Sequence, residues 1–217
     1  MSYRTVLDRV ASAAEGAGRD VESITVVAVA KTKSADEIMS VYEMGHRDFG
    51  ENRAGEMAEK ASVLPDDIKW HFVGSLQSNK ARLVRPVTYL LHSMDRPSLA
   101  KAWLKGPGRP PPVLLEVNVA AEPQKAGVFL EAVGDTVDVL VDMGLVIRGL
   151  MAIPPQPGQP ADSRTHFRRL REARDAIVAA HPSITELSMG MTDDFEIAIS
   201  EGASLIRVGR AIFGPRN

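Results

Sequence analysis

Short apolar runs alternate with amphipathic stretches along almost the whole chain. In the first run, residues 24–30 (ITVVAVA), every residue is apolar or small and most are β-branched. This composition is typical of a strand that is covered on both faces. Similar runs predict further strands at 47–49, 69–73, 89–92, 113–119, 146–153, 185–188 and 205–208.

Between these runs, apolar residues recur at three- and four-residue spacing, which is the period of an amphipathic helix. Ser34 has Glu37 three positions later, and this capping-box pattern predicts a helix start at Ser34. The glycine at position 45 predicts its end. A proline-rich loop at 154–160 excludes regular structure there. The other predicted helices cover about 6–14, 53–63, 79–84, 97–104, 129–143, 162–180 and 194–201.

The order of elements predicts an α/β fold. Eight strands that alternate with helices imply parallel strands joined by right-handed crossovers. Eight such units that close on themselves make a TIM (β/α)8 barrel, here with an extra N-terminal helix and a single domain over 1–217. An open, doubly wound sheet is the alternative.

Composition narrows the class of protein. The 217 residues carry a formal net charge of −2, which disfavours nucleic acid as a partner. There are no cysteines, so disulfides, thiolate metal sites and cysteine nucleophiles are excluded. No apolar run has the form of a signal peptide or the length of a membrane span. We therefore expect a soluble, cytoplasmic protein without membrane partners, and a barrel of this size can stand as a monomer.

Active sites of TIM barrels lie at the carboxyl ends of the strands, and Lys31 follows the first predicted strand. A lysine held there loses hydration, so its pKa falls and its amine becomes a nucleophile toward aldehydes. Alternatively, Lys31 caps the strand and reaches into water. His71 is expected to be a hydrogen-bonded histidine of the core or barrel mouth, and no histidine pair has metal-ligand spacing.

The loops after the last two strands favour phosphate. The segment SMGMTDD (188–194) offers the hydroxyl of Ser188, the flexible Gly190 and a helix start, and RVGRAIFG (207–214) offers Gly209. Glycines let backbone N–H groups approach a phosphate, and TIM barrels often bind phosphate at these two loops. Ordinary turn formation is the alternative for each loop.

Six motifs in order give the chain a family resemblance. They are AVAKTK with Lys31, GEN, GSLQSNK, RGLMAIP, SMGMTDD and RVGRAIFG, which span almost the whole chain from about 24 to 214. Together they resemble the pyridoxal phosphate homeostasis protein family, which is related to the N-terminal barrel of alanine racemases. The resemblance implies pyridoxal 5′-phosphate (PLP) as cofactor.

The resemblance also implies roles for residues. Lys31 looks like the Schiff-base lysine, and Arg207 looks like the arginine that faces the pyridine nitrogen. Ser188, with the backbone at Gly209 and Arg210, resembles the phosphate cradle, to which the Gly190 loop belongs. Other residues expected near the cofactor are Asn52, Met151, Lys33, His71 and Lys125. The chain departs from the common pattern at three positions: Arg53, Thr192 and Arg210, where a small hydroxyl residue is common.

The implied function is a PLP-binding protein of vitamin B6 homeostasis, with PLP-dependent apoenzymes as partners and no catalytic residue. An arginine at the ring nitrogen leaves that nitrogen unprotonated and makes the ring a weaker electron sink. The chain also stops just after its eighth strand, whereas alanine racemases have a second domain. Two alternatives remain: a small PLP-dependent racemase-type enzyme, and a Schiff-base aldolase that acts without cofactor.

Overall fold

Eight parallel strands close into a barrel in the computed structural model, which describes residues 2–155 and 160–214. The pairing of β1 with β9 and of β4 with β5 completes the ring, so the predicted TIM barrel is confirmed and the open sheet is wrong. The strands of the barrel are β1 (Thr25–Val29), β2 (Asp48–Glu51), β3 (Lys69–Phe72), β4 (Thr88–Met94), β5 (Val113–Asn118), β7 (Ile147–Met151), β8 (Glu186–Ser188) and β9 (Leu205–Val208). The short β6 (Val128–Phe129) pairs with β5 outside this ring.

The helices surround this barrel and enclose the main apolar core between themselves and the strands. Large side chains such as Trp103, Phe167 and Phe195 are fully buried there. Among the helices of the described ranges, none combines the length and apolarity needed to span a bilayer. The helices are α1 (Tyr3–Gly16), α2 (Ala35–Tyr42), α3 (Ala54–Val63), α4 (Ala81–Val84), α5 (Pro97–Leu104), α6 (Val133–Asp142), α7 (Pro160–Ile177), α8 (Phe195–Ser200) and α9 (Arg210–Phe213).

Local signals place several elements correctly. The capping box of α2 is present: the Glu37 N–H donates to Ser34 Oγ at 3.2 Å, and the Ser34 N–H donates to Glu37 Oε2 at 2.8 Å. This reciprocal pair satisfies two N–H groups that a helix start leaves without partners. α5 begins with a proline, whose fixed φ suits a first turn, and it has the predicted bounds.

The sequence prediction misplaces the starts of two helices and misses one short helix. The predicted helical start at Phe129 is wrong, because Val128–Phe129 pairs with β5 and α6 begins only at Val133. α7 begins at Pro160, two residues early; of the predicted proline-rich loop, residues 156–159 lie outside the described residues. α9 was not predicted, since four residues are too few for a periodic signal.

The barrel interior contains an unusual amount of polar structure. A small apolar cluster, which includes Val27, Leu114 and Met151, fills part of it. The remainder includes buried histidine, serine and arginine side chains on β3, β4, β8 and β9, which hydrogen-bond to one another across the ring. TIM barrel interiors are usually filled by branched apolar residues. These polar side chains therefore do more than fill the interior, because they form a hydrogen-bond network there.

Candidate functional site

The loop that carries Lys31 is held by its main chain from two neighbouring elements. The Ala30 N–H donates to Gly50 O of β2 at 2.8 Å, and Lys60 Nζ of α3 donates to Ala30 O at 2.8 Å. One residue after Lys31, the Thr32 N–H donates to Glu56 Oε2 of α3 at 3.0 Å. Lys31, which is half-buried, thus stands between two fixed peptide groups at the carboxyl end of β1.

Thr32 shows that this loop is under strain. Its φ is 63°, in the left-handed region that β-branched residues rarely adopt. Such a conformation persists only where surrounding contacts enforce it, and here Glu56 holds the Thr32 N–H. The conformation of the Lys31 loop is therefore fixed by contacts with α3 at this end of the barrel.

Lys60 and Glu51 form an ion pair that contacts the main chain of the Lys31 loop. Glu51 is fully buried, and its carboxylate contacts Lys60 Nζ. Burial raises the pKa of Glu51, and the Lys60 charge opposes that rise. The same ammonium group therefore compensates a buried carboxylate and fixes the carbonyl of Ala30, next to Lys31.

Lys33 faces a different part of the mouth. Its Nζ donates to Glu37 Oε1 at 3.0 Å and to the main-chain oxygen of Phe213 at 3.1 Å. Lys33 therefore joins the first loop to α9, the helix that follows Gly209. Its amine is thus engaged in contacts that hold these two elements together.

Arg207 is buried inside the barrel and fixed by three acceptors. Its Nη1 donates to the main-chain oxygen of Ser188 at 2.8 Å and to Ser188 Oγ at 2.5 Å, and its Nη2 donates to Ala152 O at 2.9 Å. Burial lowers the pKa of Arg207 to about 10, so the guanidinium still carries its charge at neutral pH. It is a fixed cation and a pure donor.

Ser188 lies beneath this arginine. It is fully buried, and its hydroxyl contacts His92 Nδ1 at 2.8 Å as well as Arg207. If the Ser188 O–H donates to His92, a phosphate could take that proton only by replacing His92 as its acceptor, whereas Arg207 could stay in place.

The two glycine loops have the geometry of a close backbone approach. Gly190 has φ 91°, and a Cβ there would lie 2.5 Å from Ala198 Cβ. A Cβ on Gly209 would lie 3.1 Å from Val29 O, so this loop passes directly beside the end of β1. Arg210 and Asp193, both exposed, form an ion pair that bridges the two loops.

Asn52 supplies an independent sign of a polar ligand. Its Oδ1 is buried and has no hydrogen-bond partner in the described part of the chain. Buried polar atoms in native proteins nearly always have partners, and exceptions occur at binding sites. Asn52 directly follows β2, beside the Lys31 loop, so its unsatisfied side-chain oxygen, which is a hydrogen-bond acceptor, fits a ligand that offers a donor such as a hydroxyl group.

Glu116 is a site feature that sequence reasoning missed. It lies on β5 in register with Met151, which pairs in turn with Ser188. Burial and the nearby charge of Asp95 raise the pKa of Glu116 to about 7, against the opposing charges of Arg207 and Arg96. A signal existed, because Glu116 is the only charged residue in the apolar strand VLLEVN.

The structure places the predicted residues at different positions. Lys31, Asn52, Gly190 and Gly209 lie in the loops that follow β1, β2, β8 and β9, and Arg210 is the first residue of α9. Met151, Ser188 and Arg207 are buried at the ends of β7, β8 and β9. Lys125 lies on the rim, where its Nζ contacts Glu122 and, at 3.5 Å, Ile153 O. His71 lies deeper, hydrogen-bonded as expected, but to His92 and Asp48.

Within the described residues, no three histidine, aspartate or glutamate side chains converge as a metal site. The groups gathered at this end of the barrel are a lysine amine, a buried guanidinium and the main chain of two glycine loops. Such a set recognises an aldehyde or other carbonyl compound that also bears a phosphate.

Comparison with known proteins points the same way. The family described as "Alanine racemase, N-terminal domain" matches residues 6–217. A protein of Aquifex aeolicus named pyridoxal phosphate homeostasis protein is 39% identical, over 97% of this chain and 95% of its own. The structure of PipY from Synechococcus elongatus with PLP bound is 34% identical with a TM-score of 0.81, and the match covers 96% of this chain and 100% of PipY.

A more distant structure agrees at the level of fold. Alanine racemase from Corynebacterium glutamicum is 15% identical with a TM-score of 0.72, and the match covers 97% of this chain and 62% of the racemase.

Proposed function

The chain belongs to the alanine racemase N-terminal domain family and, within it, to the pyridoxal phosphate homeostasis proteins, and on this premise we propose that it binds PLP reversibly as a Schiff base on Lys31. Its role is to hold and release the cofactor, and so to take part in PLP (vitamin B6) homeostasis. When bound, PLP supplies an aldehyde for the amine and an electron-accepting ring. The protein supplies the amine, the position and the charge.

One observation carries this proposal: a lysine on a braced loop, two glycine loops and a buried arginine meet at one end of one barrel. Val27 of β1 is in register with Arg207 of β9, so the strands that lead to Lys31 and to Gly209 are neighbours. The main chain at Gly190 and Gly209 suits the phosphate. The unsatisfied Asn52 Oδ1 supports a polar group between them.

Arg207 supports a binding role over catalysis. A guanidinium donates hydrogen bonds and accepts none, so a pyridine nitrogen that faces it stays unprotonated. An unprotonated ring withdraws electrons weakly, which disfavours transamination and similar chemistry. We therefore propose a protein without a dedicated amino-acid reaction, working as a cytoplasmic monomer whose partners are PLP and PLP-dependent apoenzymes.

A small racemase-type enzyme is the second candidate, and Glu116 is the observation that favours it. A carboxyl whose pKa lies at about 7 is suited to proton transfer at neutral pH. Racemisation needs an acid–base group on each face of the substrate, and Lys31 would be the second such group beside Glu116. Exchange of the α-hydrogen of added amino acids for deuterium tests this candidate.

The visible absorption spectrum with added PLP tests the main proposal. We expect a yellow band in the parent protein and its loss in Lys31→Ala, with borohydride reduction fixing one PLP on the peptide that contains Lys31. Lys101→Ala is the matched control, because Lys101 is an exposed lysine on α5. A parent protein without the band would refute PLP binding and favour the aldolase that uses Lys31 on a sugar phosphate.

A further inference from the structure

A chain of four hydrogen bonds crosses the interior of the barrel. It starts at the amino end of the strands, with Asp48 on β2, and ends at Arg207 on β9. Each bond joins side chains of two different strands, so the chain exists only because the barrel closes. The contacts are Asp48 Oδ1 with His71 Nε2 at 3.1 Å, His71 Nδ1 with His92 Nε2 at 2.9 Å, His92 Nδ1 with Ser188 Oγ at 2.8 Å, and Ser188 Oγ with Arg207 Nη1 at 2.5 Å.

With both histidine rings neutral, the two ends of this series of bonds give one consistent direction. At one end Arg207 can only donate, so Ser188 Oγ accepts from it, and the Ser188 O–H remains available to donate to His92 Nδ1. At the other end an ionised Asp48 can only accept, so His71 carries its proton on Nε2. His71 Nδ1 is then an acceptor, and His92 donates to it from Nε2. Both histidines are neutral Nε2–H tautomers, and every donor has an acceptor.

Burial makes this arrangement demanding. Ser188 and His92 are fully buried and His71 is 1% exposed, so a broken bond leaves a polar atom without water to replace it. Burial, the largest cause, together with the positive charge of Arg207, also lowers the pKa of His92 well below its usual value and keeps the ring neutral. Burial alone would raise the pKa of Asp48, but the His71 hydrogen bond brings it below its usual value.

We propose that His92 and, behind it, His71 are positioning residues for Arg207: through Ser188 they hold the guanidinium in the orientation that meets the cofactor ring. This rests on the proposed PLP site. Among the described residues, Arg207 forms no ion pair with a carboxylate, and its acceptors there are two main-chain oxygens and one hydroxyl. The hydroxyl is the one acceptor of the three that can rotate, and His92 stops that rotation.

The series of hydrogen bonds from Asp48 to Arg207 is called the relay below. Its Asp48 end reaches a cavity of about 300 Å³ at the amino ends of the strands. Asp48 and His71 line it, together with the charged groups Lys69, Arg148 and Glu186. Arg148 pairs with Glu186 there, and the His71 ring packs against Tyr89 at 5.5 Å between centroids. Asp48 is partly exposed in this cavity, and three side chains, those of His71, His92 and Ser188, lie between it and Arg207.

Nitrogen-15 NMR of the protein without PLP tests the direction of the relay. We expect His71 and His92 both to be neutral Nε2–H tautomers, and Asp48→Asn to disturb His71. His181, which lies outside the barrel and contacts Asp138, is the internal reference. A proton on His92 Nδ1, or a charged His92 at neutral pH, overturns the proposal whether or not the protein binds PLP.

Variants of His92 test the effect on the cofactor site. His92→Leu fills the space but removes the acceptor for Ser188, and we expect the PLP dissociation constant to rise about tenfold with a shifted visible band. His92→Asn places an oxygen near the former Nδ1 and should restore most of the affinity. In a Ser188→Ala background, His92→Leu should change affinity less than about twofold, because coupled residues are not additive.

The outcomes separate the two proposals. If the parent binds PLP and a folded His92→Leu variant binds PLP with the same affinity, the positioning role of the relay is refuted and the proposed function stands. A purely structural role for His92 would lower the melting temperature of His92→Leu and of His92→Asn alike, without rescue of PLP affinity by asparagine. A parent that does not bind PLP refutes the proposed function, and the tautomers of His71 and His92 then still decide the relay.

Discussion

Lys33 Nζ donates to the main-chain oxygen of Phe213 at 3.1 Å, and this bond joins two loops that are 180 residues apart in the chain. One loop carries Lys31, and the other carries Gly209 and Arg210. The Lys33 side chain is only 9% exposed and also contacts Glu37, which caps α2. The amine proposed to bind PLP and one of the loops proposed to bind its phosphate are thus fixed relative to each other by a third residue.

Lys33→Met tests this connection. Methionine keeps the length of the side chain but not the donor, so the unfolding free energy should fall by about 1–2 kcal/mol and PLP should bind several-fold more weakly. Urea unfolding and absorbance titration with PLP measure the two effects. Lys101→Met, on the exposed face of α5, should change neither. Unaltered PLP affinity in a destabilised Lys33→Met would mean that the bond serves folding alone.

Arg210 and Asp193 allow a test of how the phosphate is held. Both are exposed, so their ion pair contributes little to stability, about 0–1 kcal/mol. Arg210→Ala should weaken PLP binding through loss of a positive charge near the phosphate. Asp193→Ala breaks the same pair but keeps that charge, and it should bind PLP as tightly as the parent or tighter. Titrations with PLP and with inorganic phosphate compare them, and an Arg210→Ala variant as tight as the parent would exclude a role for its charge.

Glu116 predicts a pH dependence of stability. Its pKa is about 7 in the folded protein against an ordinary 4.5, so the folded state keeps a proton that the unfolded state loses. Stability should therefore fall as pH rises from about 4.5 to 7 and level off above, by about 3 kcal/mol from this residue. Glu116→Gln should remove that part of the slope and be more stable than the parent at pH 8.

Urea unfolding at pH 5 and pH 8 measures this effect in parent and variant. Glu131→Gln, which changes an exposed glutamate ahead of α6, is the control and should keep the parental slope. An equal slope in Glu116→Gln and the parent would mean that Glu116 ionises freely in the folded barrel.

Two glycine substitutions should have opposite effects. Gly190→Ala forces a side chain into φ 91° and against Ala198, so we expect a loss of more than about 2 kcal/mol and impaired PLP binding. Gly134→Ala lies in α6 with nothing within 4 Å of the new Cβ, so it should stabilise by about 0.5–1 kcal/mol. Melting curves compare the two variants. A neutral Gly190→Ala would show that the SMGMTDD loop adapts freely.

The elements themselves were largely predictable because their signals are local. The apolar run that ends at Ala30 and the capping box at Ser34 depend on neighbours within a few residues. The exceptions have the opposite origin. Phe129 sits in a strand because Val128–Phe129 meets β5, a contact that the spacing of apolar residues around Phe129 does not encode. The roles proposed for Lys31, Asn52 and Arg210 stay predictions that the experiments above address.

The sequence by itself determined the alternation of strands and helices, hence the barrel, and with it the end of the barrel at which Lys31, Gly190 and Gly209 lie. Only the tertiary structure decided what the buried polar side chains do. His92 meets Ser188 from 96 residues away, and Arg207 meets Ala152 from 55. Such contacts depend on ring closure and on the register of non-neighbouring strands. Neither leaves a trace in local periodicity, because closure brings together side chains whose own surroundings in the chain are unrelated.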